Sequence, residues 1–428
     1  MSKRTRYVLA GVGHRGLSFF AEPLRKDFYE YGELIGLFDI SPARMEGVNR
    51  MWGTNLPAYT DFQAMLRELN PNVVMIATND ASHADYVVQT LEAGKRAICE
   101  KPLIVTAGQA RRVLETAGLT ADRRPVASIV THNMRYEPAI RQLKEMIGSG
   151  TIGKVLHITY HENLDRHHGA DYFRRWHRFK ANSGGLLVQK GSHHFDVLNW
   201  LAGSRPRRVV ARGGLHVYGK CGPFRGVRCT GCSFALQCKY FADLKTWAGK
   251  GAELQLYAAA EGESDYFRDG CVFDERIDIE DHMDVLYDYE NGIEITYSLT
   301  AFASIESWRV EVEGTGGRLV FEQIYPTDWP PGNYIVPGLE AFESRRLTLY
   351  SFSEDVQEIP TDHWQGDWQT ERVTMLPELF ARPLDAPLTE CQATLEDGVW
   401  AVLVGIAANQ SIDNNSHPVD VRSLLEEK

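Results

Sequence analysis

No run in this 428-residue chain approaches the ~18 consecutive apolar residues that would span a bilayer. Nor is there a signal-peptide core. Tyr7-Val8-Leu9-Ala10 is apolar but is cut short by Gly11, Gly13, His14 and Arg15. A cytoplasmic protein is expected. Positive charge is in short supply: 46 Lys+Arg against 57 Asp+Glu leave a net charge of −11. An acidic chain is repelled by polyphosphate, which argues against nucleic acid as a general partner. Cysteine is sparse, seven in all, far below a disulfide scaffold. Repeats and low-complexity segments are absent. What is there is ordinary globular composition, 43% apolar and 24% charged, which excludes disordered, collagen-like and coiled-coil chains. The length predicts two or three domains and a core that needs no metal to fold.

The first 130 residues alternate between short apolar strands and helices. Strands are expected at 6–11, 33–39, 73–78, 96–100 and 125–131, and helices at 17–31, 42–51, 61–69, 82–93 and 107–117. That alternation implies βαβ units and a parallel sheet covered on both faces. Beyond residue 150 strands dominate, at 155–161, 208–214, 215–218, 283–289, 292–299, 307–313 and 317–322. Helices are expected only at 138–147, 187–201 and 389–411. Asn291-Gly292 and Gly316-Gly317 mark hairpins. The fold class is therefore α/β, with a doubly wound first domain and an α+β second domain on a large, mostly antiparallel sheet. Residues 323–368 read as a long irregular excursion.

Gly11-Val12-Gly13-His14-Arg15-Gly16 is a G-x-G-x-x-G run between a strand and a helix. Glycines there permit a tight turn and close approach of a pyrophosphate, which the helix N-terminus attracts. Alone the motif is weak: with 37 glycines, chance supplies roughly 0.3 matches per chain. Context strengthens it, because Asp39 ends the next strand, where a carboxylate would bind the adenosine ribose. Asp39 favours NAD over NADP, although Arg44 is near.

Two segments carry candidate chemistry. Glu100-Lys101-Pro102 follows a parallel strand, at the edge where ligands of doubly wound sheets bind. A lysine beside a cationic nicotinamide has its ammonium disfavoured and becomes a usable acid/base. The run 183–196 is a glycine turn leading into a helix. It places Gln189, His193 and Asp196 on one face, with Lys190 and His194 on the adjoining one. A histidine with a lysine and an acid nearby can relay an alcohol proton.

Residues 6–16, 77–94, Glu100-Lys101-Pro102, Arg135-Tyr136-Glu137-Pro138, Gly150-Thr151-Ile152-Gly153 and 185–196 together resemble the glucose–fructose oxidoreductase/inositol dehydrogenase/MocA family. The resemblance implies a Rossmann NAD-binding domain over 1–132 and a substrate and oligomerisation domain over 133–428, in a homodimer or homotetramer. It implies bound NAD(P), with Gly11, Gly13, His14, Arg15, Gly16, Asp39, Thr78, Asn79, His83, Glu100, Lys101 and Asn133 on the cofactor. Lys101 would sit beside the reacting carbon, and His193 stands where the family has a catalytic histidine. Gln189 replaces an aspartate common in the inositol dehydrogenase branch, and Lys190 makes a Lys-x-x-His version. Lys101, Lys190 and His193 are all candidate proton acceptors. Arg135 and Tyr136 look like substrate-side residues, and Trp176 resembles the family's tryptophan ahead of the glycine turn.

Two further features stand out. Residues 161–178 are rich in Arg, His and aromatics just before the substrate helix. Tyr172, Arg174, Arg175, Trp176 and Arg178, with Gln189 and His194, could line a sugar or sugar-acid pocket, since aromatics stack on sugar faces and Arg forks bind anions. The alternative is a solvated loop around a buried tryptophan. Cys221, Cys229, Cys232 and Cys238 are spaced C-x7-C-x2-C-x5-C, which suggests a structural Zn²⁺ site. The loop 265–271 is charged and aromatic.

The reading that follows is an NAD-dependent oxidoreductase acting on a carbohydrate: a sugar, a glycoside or a cyclic polyol. One alternative is a glycoside hydrolase that keeps its NAD and works by transient oxidation, elimination, water addition and re-reduction. The other is a non-catalytic NAD-binding regulator.

Overall fold

The computed structural model describes residues 4–119, 127–242, 252–264, 266–326, 343–352, 355–361 and 370–426. Its strands are β1 (Thr5–Ala10), β2 (Gly32–Phe38), β3 (Ala58–Tyr59), β4 (Val73–Ile76), β5 (Arg96–Cys99), β6 (Ile129–Val130), β7 (Val155–Asp165) and β8 (Pro206–Gly214). They continue with β9 (His282–Tyr289), β10 (Glu294–Ala303), β11 (Ser307–Gly314), β12 (Gly317–Ile324), β13 (Ser344–Ser351), β14 (Gln357–Ile359), β15 (Ala393–Thr394) and β16 (Val419–Asp420).

Seven strands form the first sheet, in the order β15-β6-β5-β4-β1-β2-β3. All its neighbours are parallel except the edge pair β15–β6. Strands β4 and β5 are buried at every position, as a sheet covered on both faces requires. Ser41 and Asp61 cap the helices Pro42–Trp52 and Phe62–Leu69 by accepting from backbone N–H groups.

Nine strands form the second sheet, in the order β14-β13-β12-β11-β7-β10-β9-β8-β16. It is antiparallel apart from the β7–β10 pair. Strands β9 to β12 alternate buried and less buried positions, so one face is reserved for the core. The helices Gly191–Ala202 and Leu395–Asp413 pack together, the latter also onto β8. A Cβ on Gly405 would stand 2.3 Å from the Leu187 carbonyl oxygen, so only glycine allows that approach. Before this last helix the chain returns to the first domain: Met375, Leu376, Leu379 and Phe380 share a core with Tyr7, Phe20 and Leu24.

Several elements differ from expectation. The helix expected over 17–31 ends at Lys26, because the chain turns at Phe28, whose carbonyl receives the Tyr31 and Gly32 N–H groups. Residues 215–218 form no strand. The buried Asp281 carboxylate takes the N–H groups of His216, Val217 and Tyr218 instead of a neighbouring strand. The helix expected over 187–201 is two, Leu186–Gln189 and Gly191–Ala202, joined at Lys190. The final helix starts at Leu395, where Thr394 and Asp397 make a reciprocal capping box. The excursion over 323–368 is less irregular than expected. Strand β13 pairs with all of β12 and buries Leu347 and Leu349. Residues 125–126 of an expected strand, Asp265, and 327–342, 353–354 and 362–368 of the excursion lie outside the described residues. Among the described residues, no helix is long and apolar enough to cross a membrane.

Candidate active site

The glycine turn after β1 is tight enough to require its glycines. Gly11 has φ +93°, and a Cβ there would stand 2.4 Å from the Ala77 carbonyl oxygen. A Cβ on Gly16 would stand 2.2 Å from the Gly11 carbonyl oxygen. Asp39, at the carboxyl end of β2, is buried and accepts from the Val12 and Ser41 N–H groups, both at 2.9 Å. Glycine turn, helix start and strand-end carboxylate therefore lie together along one groove. That donor set fits a dinucleotide: N–H groups for the pyrophosphate, a carboxylate for the ribose hydroxyls.

The groove runs into a cavity of about 300 Å³ between the domains. Arg15, Thr78, Asp80, His83, Glu100 and Lys101 line one side, Asn133 sits at the link, and Trp176, His177, Gln189 and His193 line the other. Arg15 is clamped by two carboxylates, Glu100 at 2.7 Å and Glu371 at 3.2 Å. Asn133 Nδ2 also donates to Glu371 at 2.5 Å. His83 is locked between the Pro102 and Thr78 carbonyls, at 2.7 and 3.2 Å. Asn79 does not face the cavity; its side chain caps the Asp80–Ser82 turn.

Lys101 enters from the end of β5. Its Nζ donates to the Gln189 carbonyl at 3.1 Å, which the helix break at Lys190 leaves accessible. Desolvation pushes the Lys101 ammonium down to about 8, against opposing pulls from Asp80 and Glu100. Burial, reinforced by Lys101 and Lys190, holds the His193 imidazole well below its ordinary value, so it is neutral. Burial raises the Asp80 carboxyl.

Lys190 behaves differently. Its ammonium pairs with Glu162 at 3.0 Å, and the carboxylate overcomes the burial penalty and raises its pKa. His194 is fully buried behind the wall, bonded to the Tyr297 hydroxyl at 2.9 Å and stacked on Tyr160. Neither Lys190 nor His194 lines the cavity.

Most of the expected substrate arginines are consumed elsewhere. Arg135 makes a two-pronged pair with Asp196, both contacts 2.7 Å, and is buried. The Tyr136 hydroxyl donates to Glu378 at 2.7 Å. Arg174 is tied to Asp171 and the Tyr240 carbonyl, Arg175 to Asp171, and Arg178 to Asp274 at 3.5 Å. Buried Asp171 and Asp196 and half-buried Asp274 recruit them, because an unpaired charge withdrawn from water is costly. The aromatics do approach the cavity. Trp176 stacks on His177 at 3.7 Å between ring centres, and Tyr172 meets His177 edge-on at 5.5 Å.

The expected thiolate cage is not formed. All seven cysteines are free, and among the described residues no group of three or more His, Cys, Asp or Glu is arranged to hold a metal ion. The Cys221 thiol is exposed and donates to the Leu215 carbonyl at 3.2 Å. Cys229 is buried against the Arg174 guanidinium at 3.8 Å and the Ala242 N–H at 3.4 Å. Cys232 and Cys238 are half-buried. Of the loop 265–271, Arg268 lies over the Tyr257 ring at 4.4 Å, beside the groove rather than in the cavity.

Sequence reasoning missed Asp80, His177, Tyr257 and Glu371. Asp80 and His177 adjoin motif residues, and that adjacency was a usable signal. Tyr257 and Glu371 reach the site from 243 and 356 positions away from their partners, with no local pattern to betray them.

Comparison with known proteins agrees with the two-domain architecture. Residues 5–124 match the model for the oxidoreductase family's NAD-binding Rossmann fold, and 144–421 match that for its C-terminal alpha/beta domain. The chain is 30% identical over 433 residues to YteT of Bacillus subtilis, named as an oxidoreductase, covering 98% of each. It is 29% identical over 169 residues to inositol 2-dehydrogenase of Salmonella typhimurium, covering 40% of this chain and 46% of that protein. Among solved structures it resembles an oxidoreductase domain protein from Kribbella flavida, with TM-score 0.68, 19% identity, and 98% and 99% of the two chains covered.

Proposed function

The chain belongs to the glucose–fructose oxidoreductase/inositol dehydrogenase/MocA oxidoreductase family, and from that premise we propose that it transfers hydride between nicotinamide and a carbinol carbon of a sugar or cyclic polyol, with Lys101 as proton acceptor. The observation that carries this reading is the state of Lys101: a desolvated amine, pushed down to about 8, in the wall of a cavity that Arg15 of the glycine turn also lines. A bound nicotinamide supplies the hydride acceptor. The protein's part is to orient and to move the proton. Lys101, held by the Gln189 carbonyl, takes the hydroxyl proton as the hydride leaves. Neutral His193 faces the same cavity and can donate to or accept from the substrate oxygen. Trp176 and His177 offer a flat aromatic platform for a ring's C–H face. Asp39 would hold the adenosine ribose hydroxyls, which favours NAD. Orientation between two domains supplies most of the rate.

The test is turnover of a panel of polyols and glycosides with far less NAD⁺ than substrate, read at 340 nm and by release of free sugar. NADH accumulating to the limit of added NAD⁺, with no aglycone freed, supports the dehydrogenase. Many moles of sugar released per mole of NAD⁺, without a lasting 340 nm signal, replaces it with a glycosidase that recycles its cofactor.

A further inference from the structure

The long connection between β8 and β9 sends two short helices, Ala252–Ala259 and Glu261–Ser264, across to the first domain. They lie along the dinucleotide groove. Leu256 packs on Gly47, where a Cβ would stand 2.4 Å from its Cδ2. The Tyr257 hydroxyl accepts the His14 N–H at 2.8 Å. At the far end, the Glu263 carboxylate takes the Ser41 hydroxyl and the Ala43 N–H, the latter at 3.4 Å.

We propose that Glu263, a residue of the second domain, is a specificity determinant that selects a dinucleotide with a free adenosine-ribose hydroxyl over one carrying a 2′-phosphate. This rests on the nicotinamide reading above. The Pro42–Trp52 helix begins just after Asp39, so its N-terminus sits at the ribose end of the groove. Ser41 offers a hydroxyl and Ala43 an N–H, Pro42 has no N–H to give, and Arg44 adds a guanidinium 3.4 Å from Asp39. Hydroxyl, helix N-terminus and guanidinium make the kind of seat that receives an anion. In this chain the anion is supplied internally, by a side chain 220 positions away from Ala43.

The consequence is a difference, not a general weakening. A ligand without the 2′-phosphate leaves Glu263 seated. A ligand with it must evict one carboxylate and then face Asp39, since like charges repel at this range. Tyr257 stands apart from this choice. Any pyrophosphate must displace its hydroxyl from the His14 N–H, so its cost is common to both ligands and cancels.

The experiment is calorimetric titration of the full-length protein with NAD⁺ and with NADP⁺, for wild type, Glu263→Ala, Glu263→Gln and Tyr257→Phe. Glu263 is exposed, and thermal melting checks that each variant folds. The expected result is that Glu263→Ala tightens NADP⁺ about tenfold or more and moves NAD⁺ less than about threefold. Glu263→Gln should fall between, and Tyr257→Phe should move both ligands by one factor. An unchanged NADP⁺/NAD⁺ ratio in Glu263→Ala, with NAD⁺ still bound, overturns the role of Glu263 alone. If neither wild type nor variants bind either dinucleotide, the nicotinamide reading falls and takes this one with it.

Discussion

Lys101 and Lys190 reach the same wall of the molecule from opposite domains, one at the end of β5 and one at the joint between two helices. Both are largely withdrawn from water, though neither is fully buried, and both adjoin Gln189. The Lys101 ammonium donates to a neutral carbonyl and, among the described residues, makes no ion pair with a carboxylate, so desolvation lowers its pKa to about 8. Lys190 has Glu162 at 3.0 Å and stays an ammonium. The pair teaches that burial alone does not make a base. The nearest charge decides which buried lysine gives up its proton.

The sharpest way to break that contrast is to remove each amine in turn. Lys101→Met should lower kcat on the order of 10³-fold, with NAD⁺ affinity little changed, as measured by steady-state kinetics and calorimetry. Lys190→Met should instead cost about 3–5 kcal/mol of stability in urea unfolding, because Glu162 is left buried and unpaired. An equal loss of kcat in both, with stability intact, would erase the distinction. His193→Ala should fall between, with kcat reduced about 10²-fold.

The contrast also has a pH signature. Oxidation needs the neutral amine, whose fraction rises with pH. Activity in the oxidative direction should therefore climb about tenfold between pH 7 and pH 9 and level off above, with its midpoint near Lys101's value of about 8. A kcat/KM profile checks this, and the limb should persist in whatever Lys190→Met protein stays folded. The smallest effect sharpens the contrast from outside. Arg178, already paired with Asp274, should move substrate KM less than about twofold when replaced by alanine.

The parts legible in the sequence were those written in short-range patterns. The alternation of strands and helices over the first 130 residues, Gly11 and Gly16 in their turn, and Asp39 at the end of β2 all follow from spacing and steric need. Lys101 and His193 could be picked out in the same way. Partner choice was not legible. Arg174, Arg175 and Arg178 read as anion binders, and Arg135 as a substrate-side residue, until Asp171, Asp274 and Asp196 are seen to hold them. Cysteine spacing suggested a cage, yet Cys229 turned toward a guanidinium. Glu371 and Glu263 act on groups more than 200 positions distant, and such contacts leave no periodicity behind.

The most direct measurement is the titration of the two amines themselves, by carbon NMR of protein labelled at the lysine ε-carbon, with signals assigned from Lys101→Arg and Lys190→Arg. The account predicts a Lys101 midpoint near 8, while Lys190 remains an ammonium beyond pH 10. A Lys101 signal that stays protonated through pH 10 would contradict it.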